Sequence, residues 1–230
     1  TVFRAYGMTF FITIVGTVCN VVFTIGLAYP LSRPELKGRN IIAFLVFFTM
    51  LFNGGLVPTY IIYSQVFHIR DTIFAMIIPT FLMSAFNVIL MRNYFKTNVP
   101  DAIIEAAHLD GASELRTLID VVLPISVPII GTIGLMAGLA YWNDWTNGLY
   151  YIVQHQEYYS IQNVLTNMLN NLQFLKSSAQ MQGINIELGS LPSAGVRMAI
   201  AVVAVVPIMI VYPFIQKSFV KGIVIGGVKG

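Results

Sequence analysis

Residues able to do chemistry are few in this sequence, and they do not converge. His68, His108 and His155 are scattered along the chain and cannot form one metal site. Cys19, the single cysteine, lies in an apolar run and reads as a packing residue, with neither a disulfide nor a thiolate metal site available. The glycines of GIVIGGVKG at 222–230 resemble a phosphate-cradling loop, but Val228 stands where its lysine is required. Neither a G-x-S-x-G elbow nor an H-E-x-x-H helix occurs. The sequence therefore offers no catalytic residue, no metal ligand set and no cofactor site of its own.

Three other groups have binding chemistry. YWNDWTNGLYY at 141–151 sets Trp142, Asn143, Asp144, Trp145 and Asn147 close together, a mixture of stacking faces and hydrogen-bonding groups suited to a sugar. The same residues also fit an interfacial aromatic belt at a helix end. Asn87 lies among Phe86, Val88 and Ile89, where an amide faces either a cavity or a neighbouring helix. Asn53, Gly54, Gly55 and Pro58 interrupt another apolar run, giving either an unwound substrate-facing segment or a packed kink.

The fourth group is a polar loop, NVPDAIIEAAHLDGASELRTLIDVVLPISVP, at 98–128. Asn98 as a cap, Pro100 in the first turn and Asp101 at the positive helix end predict a short helix running to about Leu109. Gly111 suits the left-handed residue just past that helix, and Ser113 can cap a second one over about 114–122. Leu115, Leu118, Ile119 and Val122 would share one face of the second helix, with Leu123 and Pro124 leading onward. Ala106 and Ala107 let another surface approach the backbone closely, while Glu105 and Asp110 offer charge to basic groups. The whole reads as a rigid docking elbow.

The elements that must carry these groups are membrane helices. Of 230 residues, 57% are hydrophobic and 10% charged, against roughly a quarter charged in soluble domains. The net charge of +3 does not pool into one basic face, so no nucleic-acid footprint exists. No Lys, Arg, Asp or Glu occurs between Arg4 and Arg33, Arg39 and Arg70, Asp71 and Arg92, Asp120 and Asp144, or Arg197 and Lys217. Each interval approaches or exceeds the ~20 residues that a spanning helix needs. Five spans result, in an all-α polytopic bundle occupying residues 1–230 as one domain.

Counting loops in alternation puts Arg33, Lys37, Arg39, Arg92, Lys96, Arg116, Lys217, Lys221 and Lys229 on one side, and Arg4, Arg70, Lys176 and Arg197 on the other. The richer side is cytoplasmic. The 93–122 loop is then inside, and the segment 151–195 is outside. In that segment Val164, Leu165, Met168, Leu169, Leu172 and Leu175 follow a helical period and predict a surface helix. The short stretch before the first span leads to the expectation of six spans in the complete protein.

Glu105-Ala106-Ala107, Gly111 six positions after Glu105, and Val121-Val122-Leu123-Pro124 resemble the EAA loop of binding-protein-dependent ABC importer permeases. The ending, PFIQKSFVKGIVIGGVKG at 213–230, resembles carbohydrate permeases of the maltose-transporter type, in the branch serving oligosaccharides and polysaccharide fragments. The resemblance implies a bacterial inner-membrane importer with a second permease subunit, two ATPase subunits holding ATP and Mg, and an external solute-binding protein that delivers an oligosaccharide. It also implies that Glu105, Ala106, Ala107, Asp110, Gly111, Ser113, Leu123 and Pro124 couple the permease to the ATPase. A permease for another solute class, an ATPase-independent secondary transporter and a membrane enzyme are the competing readings. The last two would need acidic or histidine clusters inside the spans, and the sequence has none there.

Overall fold

A computed structural model describes residues 2–181, together with 195, 198, 202, 205, 206 and 209. Helix α1 (Val2–Ser32) crosses the whole bundle in 31 residues. Its buried stripe is mostly small or polar, with Ala5, Thr9, Gly16, Asn20, Thr24 and Ala28 beside Ile12, Tyr29 and Leu31, while Phe10, Phe11, Ile14, Val18, Val22 and Phe23 face outward. This inversion, with polar groups inside and apolar groups outside, is what a lipid solvent demands.

The second interval is not one straight helix. Helix α2 (Arg39–Leu51) ends at an unwound stretch over 52–55, and α3 (Leu56–Ile61), extended by a π turn (Ile62–Val66), leaves it at an angle of 114°. Asn53 Oδ1 accepts from the Gly55 amide at 2.8 Å, and Gly55 has φ +83, which favours glycine. Asn53-Gly54-Gly55 is thus an exposed, unwound stretch at a sharp bend and not a packed kink.

The third interval is also broken. Helix α4 (Phe74–Ile77) is a single turn, residues 78–84 are irregular, and α5 (Ala85–Asn98) then runs on past Arg92. Breaking a helix inside a bilayer frees carbonyls that must find donors. Here Tyr141 Oη donates to Ile77 O at 2.8 Å, Asn147 Nδ2 to Pro79 O at 3.2 Å, and Asn20 Nδ2 to Phe81 O at 2.7 Å. All three donors come from elements distant in sequence.

Helix α6 (Asp101–Leu109) and the turn α7 (Glu114–Thr117) form the elbow, which continues through a π turn (Leu118–Val122) into α8 (Leu123–Ile125). The chain then bends by 83° into α9 (Val127–Trp142). The pairing of α9 with α1 rests on small residues. A Cβ on Gly16 would lie 2.5 Å from the Tyr141 ring, and one on Gly138 3.4 Å from Thr17 Oγ1. Such close approach drives helix association in lipid, where apolar burial between helices gains little.

Helix α10 (Thr146–Tyr151) and a 3₁₀ turn (Gln156–Tyr158) lead to α11 (Ile161–Met181), the helix expected outside. Ser160 Oγ accepts from the Asn163 amide at 3.3 Å, and Asn163 Oδ1 accepts from the Ser160 amide at 3.3 Å, so the helix start is capped reciprocally. Thr9 Oγ1 of α1 accepts from the Ile161 amide at 2.8 Å and docks the helix on the bundle.

Among the described residues α1 alone is a single helix long and apolar enough to cross a membrane, and three candidates result if each bent pair is one span. The interval from Asp71 to Arg92, expected as a span, is two helices around an irregular segment. The fifth interval lies largely outside the described residues, and the tail 213–230 lies wholly outside them.

Candidate functional site: a projecting elbow and an aromatic end

The elbow forms much as its local chemistry dictates, with one shift at its start. Helix α5 continues through Asn98, whose Nδ2 donates to Tyr94 O at 3.3 Å, so Asn98 ends α5 and does not cap α6. Pro100 occupies the cap position, extended at ψ 133, and Asp101 stands in the first turn. At the far end Gly111 has φ +80. Its amide donates to His108 O at 3.0 Å, and the Ala112 amide donates to Ala107 O at 3.0 Å. This pair of bonds is the Schellman helix stop, which needs a left-handed residue at Gly111. Ser113 Oγ accepts from the Arg116 amide at 3.4 Å, the cap expected for α7.

Glu105, Ala106, Asp110, Gly111 and Ser113 are exposed together on this knob, with Ala107 half-buried. Leu109 is 88% exposed, and Ile104 is the one buried anchor of α6. Among the described residues neither Glu105 nor Asp110 has an ion-pair partner within 4 Å, which leaves both carboxylates available to another surface. Leu123 and Pro124 sit apart, just before the 83° bend.

Three contacts absent from the sequence reading fasten the knob. Arg33, at the end of α1, lies 3.7 Å from Asp101 at the start of α6. Tyr29 Oη donates to Glu114 Oε2 at 2.7 Å, while Glu114 Oε1 lies 3.4 Å from His108 Nε2. Helix α1 therefore holds both ends of the elbow. The shared face expected for the second helix is only partly observed. Val122 is buried and Leu118 half-buried, but Leu115 and Ile119 are exposed, because the π turn at 118–122 shifts the register.

At the opposite end of α9, the sugar-like cluster divides by role. Asp144 is buried, and its Oδ1 accepts from the Thr146 amide at 3.0 Å, Thr146 Oγ1 at 2.7 Å and the Asn147 amide at 3.3 Å, so it starts α10. Asn147 is buried on Pro79 O. Trp142 is buried with its ring edge-on to Phe10, centroids 5.2 Å apart. Asn143 and Trp145 are exposed. Asn87 on α5 is buried and makes no hydrogen bond among the described residues. Asn20 was missed by the sequence reading, although an amide midway along an uncharged 28-residue run between Arg4 and Arg33 was a signal.

An apolar helical bundle with broken spans and a rigid polar elbow defines the class: a polytopic membrane permease. Residues 9–225 match the family described as "Binding-protein-dependent transport system inner membrane component", and the chain belongs to that family. It is similar to Protein LplC of Bacillus subtilis (strain 168), 37% identical over 230 residues, covering 100% of this chain and 75% of that protein. It is 38% identical over 232 residues to the Polygalacturonan/rhamnogalacturonan transport system permease protein YtcP of the same organism, covering 100% of this chain and 78% of that protein. A solved chain from a bacterial ABC transporter involved in the import of the acidic polysaccharide alginate superposes with a TM-score of 0.79 at 32% identity, over 94% of this chain and 75% of that one. The chain is thus a permease subunit of an ATP-driven importer, seated in the inner membrane.

Proposed function

We propose that this permease, one membrane domain over 1–230, moves an oligosaccharide delivered by an external solute-binding protein. It works with a second permease subunit and two ATPase subunits that hold ATP and Mg and carry out the hydrolysis. The substrates of the relatives support a polysaccharide fragment as cargo, and acidic fragments are the first to test.

The observation that carries the coupling role is the elbow itself, an exposed knob with an apolar tip at Leu109 and carboxylates at Glu105 and Asp110 that are unpaired among the described residues. Closure of an ATPase dimer displaces α6. Its ties through Arg33–Asp101 and Tyr29–Glu114 pass that displacement to α1, while α7 and α8 pass it to α9. Helices α1 and α9 interlock at Gly16 and Gly138, so they move together and change access to the pathway. Asn143 and Trp145, exposed at the outer end, and Asn87, buried without a partner among the described residues, are the side chains best placed to meet the sugar. Trp142, Asp144 and Asn147 support them from behind.

The test is uptake and ATPase activity of the reconstituted importer with Glu105→Lys and Gly111→Trp. Both variants insert and fold, but transport and its stimulation of ATP hydrolysis are lost. Parent-like uptake in both would remove the coupling role. Galacturonan and alginate oligomers, assayed against neutral oligosaccharides, decide the cargo class independently of the coupling variants.

A further inference from the structure

At the inner end of the bundle a cavity of about 240 Å³ opens between α1, α2, α5 and the base of α6. Its polar wall is Arg33, Arg39, Lys96 and Asp101, and its floor includes Phe95 and Val99.

The cations here are poorly matched by acid. The Arg33 side chain is 11% exposed, yet among the described residues its buried Nε has no hydrogen-bond partner. Its contacts with Glu35 and Asp101, at 3.5 and 3.7 Å, exceed hydrogen-bond length and reach carboxylates that are themselves exposed. Among the described residues neither Arg39 nor Lys96 has a carboxylate within 4 Å. Arg92 lies outside the cavity wall, its Nε donating to Leu31 O at 3.0 Å. Lys96 is held below its ordinary pKa by burial first, then by Arg92 and Arg39, which face it. Three cations thus line a half-enclosed space, with Arg92 near enough to act on Lys96, against two exposed carboxylates. A buried N–H without a partner is costly to keep, and a phosphate oxygen would satisfy it.

We propose that this cavity binds a phosphate group, presented by an anionic phospholipid headgroup or as free phosphate. The surroundings favour the lipid source. Helix α2 starts at Arg39 on the cavity rim and runs outward with Ile41, Phe44, Leu45 and Phe48 exposed, a track on which acyl chains can lie. Basic pockets between helices on the cytoplasmic side are suited to such headgroups. Because Asp101 begins the coupling helix, an occupant also competes with it for Arg33.

The assembled importer, purified in detergent, is exposed to phosphatidylglycerol, phosphatidylcholine or inorganic phosphate, and retained ligand is read by native mass spectrometry. Wild type retains phosphatidylglycerol over phosphatidylcholine, and Arg39→Gln/Lys96→Gln weakens this on the order of 30-fold, while Lys96→Arg retains it. Retention of inorganic phosphate with the same variant dependence assigns the site to the free ion. A photoactivatable phosphatidylglycerol on wild type, which needs no variant to assemble, labels residues within 29–39 or 92–104. Equal retention of both lipids with no phosphate bound, equal binding by the double variant, or labelling confined elsewhere overturns the proposal.

Discussion

The Tyr29 phenol donates to the Glu114 carboxylate at 2.7 Å, joining two residues 85 positions apart and tying the inner end of α1 to the arm that follows the coupling helix. Hydrogen bonds to charged groups contribute about 1.5–3 kcal/mol when buried, and the 57% exposure of Glu114 argues for the lower end or less. Tyr29→Phe removes the donor and little else. The expected outcome is an importer that assembles and hydrolyses ATP but moves severalfold fewer sugars per ATP. A transport-to-hydrolysis ratio equal to wild type in proteoliposomes would show that this tie transmits nothing.

The α1–α9 contact makes a sharper stability prediction, because the glycines of α1 differ in their surroundings. A Cβ at Gly16 meets Tyr141 ring atoms at 2.5 and 2.7 Å, whereas one at Gly7 or Gly26 meets nothing within 4 Å. Overpacking of this kind costs about 1–3 kcal/mol. Gly16→Ala therefore lowers the detergent melting temperature by several degrees, while Gly7→Ala and Gly26→Ala leave it unchanged or raise it slightly, alanine being the better helix former. Equal melting of all three would mean that α1 and α9 do not pack this closely.

How much of this was legible in the sequence depended on how locally each feature is determined. Gly111 and Ser113 are fixed by neighbours a few residues away, so the helix stop and the cap could be read directly. Asn98 could not be placed, because α5 runs six residues past Arg92, where the uncharged interval ends, before Val99 turns extended. Pro79 signals a break in the third interval, but what makes the break at 78–84 tolerable could not be read, since its donors lie 61, 64 and 68 positions away, on Asn20, Tyr141 and Asn147. The aromatic cluster illustrates the same limit. Residue types suited to sugar are equally suited to capping α10 and holding Pro79, and only the packing separates Asp144 and Asn147 from exposed Asn143 and Trp145.

That separation is testable. Asn20→Leu removes the side-chain donor to Phe81 O, and Asn147→Leu buries an apolar group against Pro79 O and leaves it only the Phe81 amide at 2.8 Å, each at a cost of about 1–2 kcal/mol. Both variants melt earlier, while the apparent affinity for sugar in stimulated ATPase assays stays near wild type. Trp145→Ala does the reverse, melting normally and weakening the response to sugar. A variant at Asn147 that melts normally and changes the sugar response would return this amide to the substrate path.

Outside the bilayer, Asp71 governs how the segment after α10 is held, and its charge makes that hold depend on pH. The Asp71 Oδ1 accepts from the Val153 amide at 2.6 Å and the Gln154 amide at 2.8 Å, and Asp71 Oδ2 lies 3.6 Å from Arg70 Nε. Burial raises its pKa, but the amides of Val153, Gln154 and His155, with Arg70, outweigh burial and leave the carboxyl below its ordinary value. A carboxyl depressed in the folded state contributes stability above its unfolded pKa and loses it as pH falls through the folded one. The wild-type permease is therefore expected to lose stability on acidification through and below the usual carboxylate range of about 4. Asp71→Asn keeps an acceptor but not the charge, melts earlier at neutral pH by about 1–2 kcal/mol, and shows a flatter dependence below pH ~5. Melting curves of both proteins over that range measure the difference. Parallel curves would show that the Asp71 charge does not hold Val153 and Gln154.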